Sequence, residues 1–146
     1  MSLYMLYLVD DAGYSEATMT RTQERMEAAF PAANVSGYEA LLPDLQLPDP
    51  NDRHVLAAAL QARADILVTF NLKDFFKDTL PPSLVVQHPD EVLSHLLETN
   101  PEGCHIALTK LVSSLKNPPM TLASIASALE RNQMPESASR LYTLSI

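Results

Sequence analysis

Acidic and amide side chains gather in two short clusters within residues 47–75, LPDPNDRHVLAAALQARADILVTFNLKDF. The first holds Asp49 and Asp52, the second Asn71 and Asp74. Carboxylates that converge in a cleft cannot all stay charged without a counterion. No basic residue in the segment is placed to neutralise all of them, so a divalent cation is the natural partner. Oxygen-only ligation suits Mg²⁺ or Mn²⁺, which bind through one or two carboxylates and keep their waters for a phosphate substrate. The competing reading is plain capping. Asp at an N-cap and at the third helical position stabilises a helix start by ~1 kcal/mol, and Asn-Leu-Lys-Asp after a strand also suits a turn.

The two clusters meet only if the elements between them fold back. Val55, Leu56, Ala59 and Leu60 recur with helical spacing, which predicts a helix over 49–62 with Asp49 as N-cap, Pro50 at N1 and Asp52 at N3. After the short connection Ala64-Asp65, the run 66–70 (ILVTF) predicts a strand. Such a helix runs antiparallel to the strand that follows it, so its N-terminus shares an edge with the strand's carboxyl end. That edge is where open α/β sheets bind ligands. Asp52, one turn before Val55 and Leu56, heads the buried face. Arg53 and His54 flank that face, and Lys73 stands between Asn71 and Asp74. Each of the three is a candidate to meet a phosphate or to pair with a carboxylate.

Elsewhere the chain alternates apolar runs with proline breaks. Residues 20–30 form an amphipathic helix that Pro31 ends. Residues 34–38 (NVSGY) read as a short strand and 41–50 as a proline-rich loop. A brief helical turn over 74–79 precedes a strand over 84–87, and a helix over 89–98 is capped near His88. Residues 101–116 form another helix, with Ile106, Leu108, Leu111, Val112 and Leu115 apolar. Thr121 caps a helix over 122–131, and a last one covers about 135–143. The tail is too small for an independent core. The expected division is an α/β domain over 1–99 and a helical extension over 100–146. Residues 3–11 (LYMLYLVDD) read as a strand ending in Asp10 and Asp11, or else as a remnant of an upstream helix or an arm packing on another chain. The remnant or arm is preferred to the strand. The run is too short to span a bilayer and lacks the features of a signal peptide.

Composition narrows the function. A chain of 146 residues with 47% hydrophobic content supports a real core. The single Cys104 excludes an intramolecular disulfide and fits a reducing cytoplasm. With 3 Gly there is no glycine-rich phosphate loop, and no Cys/His cluster suggests zinc. His88, His95 and His105 are scattered and read as surface or core residues. A formal charge of −8 gives a poor global field for a polyanion. RNA binding would therefore depend on a local basic rim and a metal.

The succession DPNDRHVLAAAL, ILVTFNLKDF and VVQHPDEVL resembles PIN domains, and more narrowly the bacterial VapC-type toxins that carry a helical C-terminal extension. The likeness runs from about Thr20 to the C-terminus and is most specific over 47–93. It implies a three-layer α/β/α fold with a small parallel sheet, an RNA-cleaving activity, and Mg²⁺ or Mn²⁺ held by acidic residues. By the resemblance, Asp52 matches the acid opening a helix of pattern DxxΦAA. Asn71 and Asp74 match the segment after the next strand, and Asp49 matches an additional acid of the subgroup. His88-Pro89-Asp90-Glu91 matches a subgroup signature that caps the following helix. PIN domains open with a strand ending in Asp and several helices, yet only 51 residues precede Asp52. The expectation is thus a PIN-like domain incomplete at its N-terminus.

Two functions follow. In one, the chain is a metal-dependent endoribonuclease, the toxin of a toxin–antitoxin pair, with Asp52, Asp74 and Asn71 catalytic and Asp49, Asp52 and Asp74 at the metal. Arg53, His54 and Lys73 then contact RNA. In the other, it is an inactive PIN-derived module that binds an antitoxin-like partner or forms a homo-oligomer, because an unfilled sheet edge needs cover.

Overall fold

The structure is a computed structural model and describes residues 15–144. The strand or arm expected over 3–11, with Asp10 and Asp11, lies outside the described residues. Helix α1 (Glu16–Ala29) starts at Ser15, whose hydroxyl accepts from Thr18 N, and Pro31 follows its end. A 3-10 turn at Glu39–Asp44 and a second at Pro50–Asp52 lead into helix α2 (Arg53–Gln61). Strands β1 (Ile66–Val68) and β2 (Val85–Gln87) pair in parallel, Ile66 against Val85 and Val68 against Gln87. Between them lie 3-10 turns at Leu72–Asp74 and Lys77–Thr79. Helices α3 (Pro89–Thr99), α4 (Pro101–Ser114), α5 (Leu122–Arg131) and α6 (Pro135–Leu144) complete the chain. This is the expected α/β part with a small parallel sheet, joined to C-terminal helices.

The strand expected over 34–38 does not form. Gly37 adopts φ +77, outside the extended region, and the chain turns there into the 3-10 segment beginning at Glu39. Both sheet strands are also shorter than expected. After Val68 the chain leaves β1, although Thr69 N still donates to the Gln87 carbonyl at 3.1 Å.

Two separate apolar cores hold the molecule. In the first, Leu47, Leu56, Leu67, Phe75 and Leu84 are buried, with Val55, Leu60 and Val86 packed around them. Leu56 and Leu60 belong to the predicted helix face, and Leu67 is the inward residue of β1. In the second core, Leu97 of α3, Ala126 of α5 and Leu141 of α6 are buried, with Leu93, Leu108 and Leu129 around them. Helix α3 thus packs with the C-terminal helices. Helix α4 sits more loosely than its sequence suggests, leaving Ile106 and Leu111 exposed. At the junction the ring of Phe70 meets His88 edge-on, with centroids 5.1 Å apart.

Strand alternation leaves one sheet face uncovered. Leu67 is buried, whereas Ile66, Val68 and Val85 are 46%, 48% and 51% exposed. Among the described residues, one face of the sheet carries packing and the other stays open.

Candidate functional site

The local fold around Asp49 and Asp52 divides their roles. Asp49 is extended, and its Oδ1 accepts from Asn51 N at 2.8 Å, capping the turn that Pro50 opens. Asp52 does not sit at the third position of an α-helix. The first turn is 3-10, which makes Asp52 the N-cap of α2, and its side chain accepts no capping bond. Its carboxylate is left available, so simple capping does not account for it.

Across the edge, the turn after β1 arranges the second cluster. Thr69 Oγ1 accepts from Asn71 N at 3.1 Å, and the Asn71 amide donates to Asp74 Oδ2. Asn71 therefore orients the Asp74 carboxylate. Asp74 and Asp52 are both half-buried. Burial pushes the Asp52 carboxyl above its ordinary value, and the charges of Asp49 and Asp74 push it further, against a lowering by His54. The structure thus brings Asp49, Asp52 and Asp74 within electrostatic reach of one another, as a helix folding back beside its strand requires. Like charges collected in this way raise the affinity of such a spot for a cation.

The basic candidates separate. Lys73 is exposed on the turn. Arg53 is half-buried, and its Nε is buried without a hydrogen-bond partner. The His54 ring is fixed by its Nδ1, which donates to the Asn51 carbonyl. A carbonyl can only accept, so Nδ1 carries the hydrogen. Of the scattered histidines, His95 and His105 are exposed, and His88 caps α3 by accepting from Asp90 N at 3.2 Å.

Among the described residues, no group of three or more His, Cys, Asp or Glu side chains is disposed to hold a metal ion. A hard cation that keeps several waters needs only one or two protein carboxylates. The all-oxygen donors Asp52 and Asp74, with a raised Asp52, fit such an ion chemically.

Asp90 is a functional-looking acid whose role the sequence did not reveal. It is buried, and its carboxylate accepts Ser137 N at 2.8 Å and Glu136 N at 3.0 Å, capping α6. Ser137 Oγ closes the clamp on the Asp90 carbonyl at 3.2 Å. Burial alone would raise this carboxyl, but hydrogen bonds from Ser137 and Glu136, aided by His88, hold it below the usual range. The HPDE signature thus caps two helices: His88 starts α3 and Asp90 starts α6.

Comparison with known proteins follows this division. Residues 6–73 match the PIN domain family model, a span that contains Asp49, Asp52 and Asn71 and begins ahead of the Thr20 start expected from sequence. Residues 89–143 match the model of the VapC50 C-terminal domain, which begins with α3. Over 94 residues the chain is 39% identical to a protein of Mycobacterium tuberculosis (strain ATCC 25618 / H37Rv) named "Putative ribonuclease VapC50", covering 64% of this chain. The chain spans about half, 55%, of that relative's length. No solved structure matches. A PIN match over the acidic edge and a VapC50-type match over the clamped helices together support a VapC-like PIN-domain protein with a helical C-terminal part.

Proposed function

We infer that the chain carries the acidic edge of a VapC-type ribonuclease toxin, a metal-dependent endoribonuclease acting in the cytoplasm. The observation that carries the reading is the Asp52 carboxylate, unused by its helix and within electrostatic reach of Asp49 and Asp74. Asp52 and Asp74 would hold Mg²⁺ or Mn²⁺, with Asp49 beside them. When bound, the ion supplies charge neutralisation for a phosphodiester and lowers the pKa of water. Asn71 holds the Asp74 carboxylate in orientation, and Thr69 fixes the turn that presents Asn71. Arg53 and His54 lie on the same helix start and would contact RNA phosphate, with Lys73 as an exposed outer contact. An antitoxin-like protein would be the partner of this toxin. The division into 1–99 and 100–146 belongs to this proposal, although the packing of α3 with α5 and α6 argues for a boundary nearer His88.

Mn²⁺ calorimetry on the chain and on Asp52→Asn tests the reading. Saturable binding lost in the variant supports it, with Mn²⁺-dependent RNA cleavage as the second readout. Absence of binding in both proteins overturns it.

A second reading rests on the open sheet face. Ile66, Val68 and Val85 present apolar surface that a parallel sheet normally covers. This favours a binding or homo-oligomerising module. Among the described residues, no helix is long and apolar enough to cross a membrane.

A further inference from the structure

An open groove of about 430 Å³ is lined by Leu42, Pro43, Pro50, Asn51, Arg53 and His54. Its lining is of two kinds. Leu42 and Pro43, from the 3-10 turn Glu39–Asp44, and Pro50 supply apolar surface. Arg53 and His54 supply polar groups from the first turn of α2.

The cationic part is unfinished. Arg53 Nε is buried and has no hydrogen-bond partner, and no ion pair engages the guanidinium among the described residues. That atom is closed off from solvent, so the guanidinium nitrogens that could meet a ligand are the terminal Nη1 and Nη2. His54 is held ready as well. Its Nδ1 is spent on the Asn51 carbonyl, which fixes the ring and leaves Nε2 as the nitrogen without a partner among the described residues. A guanidinium with no ion pair can turn its terminal nitrogens to phosphate oxygens.

Apolar and cationic groups lining one groove fit a ligand that is flat and apolar in one part and anionic in another. A nucleotide has that form: its base packs on apolar or aromatic surface, and its phosphate pairs with arginine. The groove's position follows from the chain itself, since Pro50 and Asn51 lie between Asp49 and Asp52.

We propose that this groove seats one nucleotide of single-stranded RNA, with the base on Leu42, Pro43 and Pro50 and the phosphate on Arg53 and His54. The seat selects which residue of the strand lies next to the acidic edge. It therefore acts as a specificity pocket and is separate from the carboxylates themselves. The proposal rests on the ribonuclease reading for its choice of RNA.

The test is binding of the four ribonucleoside 5′-monophosphates and of ribose 5-phosphate to the full chain in EDTA, followed by NMR shift mapping. Working without metal keeps the result independent of the carboxylate site. We expect the Leu42 and His54 signals to move with a nucleotide, and at least one base to bind about tenfold tighter than ribose 5-phosphate. Ribose 5-phosphate should move His54 and leave Leu42 unchanged. Pro43→Ser, at an exposed position, should bring nucleotide affinity down to that of ribose 5-phosphate. Arg53→Gln should weaken both. Equal affinity for nucleotide and ribose 5-phosphate overturns the proposal, as does unchanged base preference in Pro43→Ser or the absence of shifts at Leu42 and His54. If RNA is cleaved with Mn²⁺ while the seat fails, the ribonuclease reading stands and this one falls. A working seat without Mn²⁺-dependent cleavage upholds nucleotide binding and overturns the ribonuclease reading.

Discussion

Asp52 and Asp90 each sit at a helix start, one in each half of the molecule, and their surroundings act in opposite senses. Asp90 receives hydrogen bonds from two backbone N–H groups of α6 and is held below the ordinary carboxylate range. Asp52 receives no capping bond, faces two other carboxylates, and is pushed above that range. A carboxylate that the fold satisfies stabilises the fold, whereas one that the fold leaves strained is available to a ligand. The helical half uses its buried acid as a fastener. The α/β half leaves its acid exposed to further chemistry.

Removing each acid should therefore have opposite consequences. Asp52→Asn should abolish Mn²⁺ binding and reduce metal-dependent RNA cleavage about a thousandfold. Its unfolding free energy should hold or rise by less than about 1 kcal/mol, because a like-charge contact is lost. Calorimetry and urea denaturation of the same preparation measure both. A variant that binds Mn²⁺ normally would remove the distinction between the two acids.

Asp90→Ala should leave two buried N–H groups of α6 without an acceptor, costing about 2 kcal/mol. The urea midpoint, read by circular dichroism, checks this. The two acids also differ in pH dependence. For Asp90 the folded pKa is depressed, so its contribution is complete above the ordinary value of 3.8 and is lost as pH falls through the lower folded value. For Asp52 the folded pKa is raised, so stability is lost as pH rises from 3.8 through that raised value, and acid relieves it. In Asp90→Ala the acid-labile component below about pH 4 should disappear.

How far these sites were legible depends on the range of the interaction. Local signals read true: Asp49, His88 and Thr121 cap the elements that follow them, and Pro31 follows the end of α1. The meeting of Asp49, Asp52 and Asp74 also followed from a helix folding back beside a strand. The Asp90 clamp did not, because its partners lie 46 and 47 residues away and nothing in HPDE names them. The ends of α2 and α5 fall where the spacing put them, near 62 and at 131, although no Gly-type signal marks them. Arg63 and Gln133 take φ 52 and 62 and close α2 and α5 by bonds such as Ala64 N to Ala59 O at 2.9 Å, with no glycine to mark them. The shift of Asp52 from third helical residue to N-cap turned on one 3-10 turn, which hydrophobic spacing cannot resolve.

Asn71 sharpens the contrast within the α/β half, since it touches the site only through Asp74. Asn71→Ala should weaken Mn²⁺ affinity about tenfold by freeing the Asp74 carboxylate, as loss of an orienting hydrogen bond does elsewhere. Asn71→Asp should not restore it, because a second carboxylate cannot donate to the first. Equal affinities in wild type and Asn71→Ala would mean that Asp74 needs no orientation.

The smallest effect on stability is expected at the open sheet face, and it tells whether that face is bare or an interface between copies. Val68 is about half exposed, so Val68→Lys should change the unfolding free energy by less than about 0.5 kcal/mol if the face is bare in solution. Sedimentation should then give the same mass for both proteins. If the face is an interface between copies, the lysine would place a charge in an apolar contact. The variant would then dissociate and its stability would become concentration-dependent. Because Val68 lies on the strand that leads to Asn71 and Asp74, Mn²⁺ binding in the same variant tells whether covering the sheet also sets the acidic edge. Retained binding in a dissociated protein would show that the edge is built by the local turns alone, the arrangement implied by the Thr69, Asn71 and Asp74 hydrogen bonds.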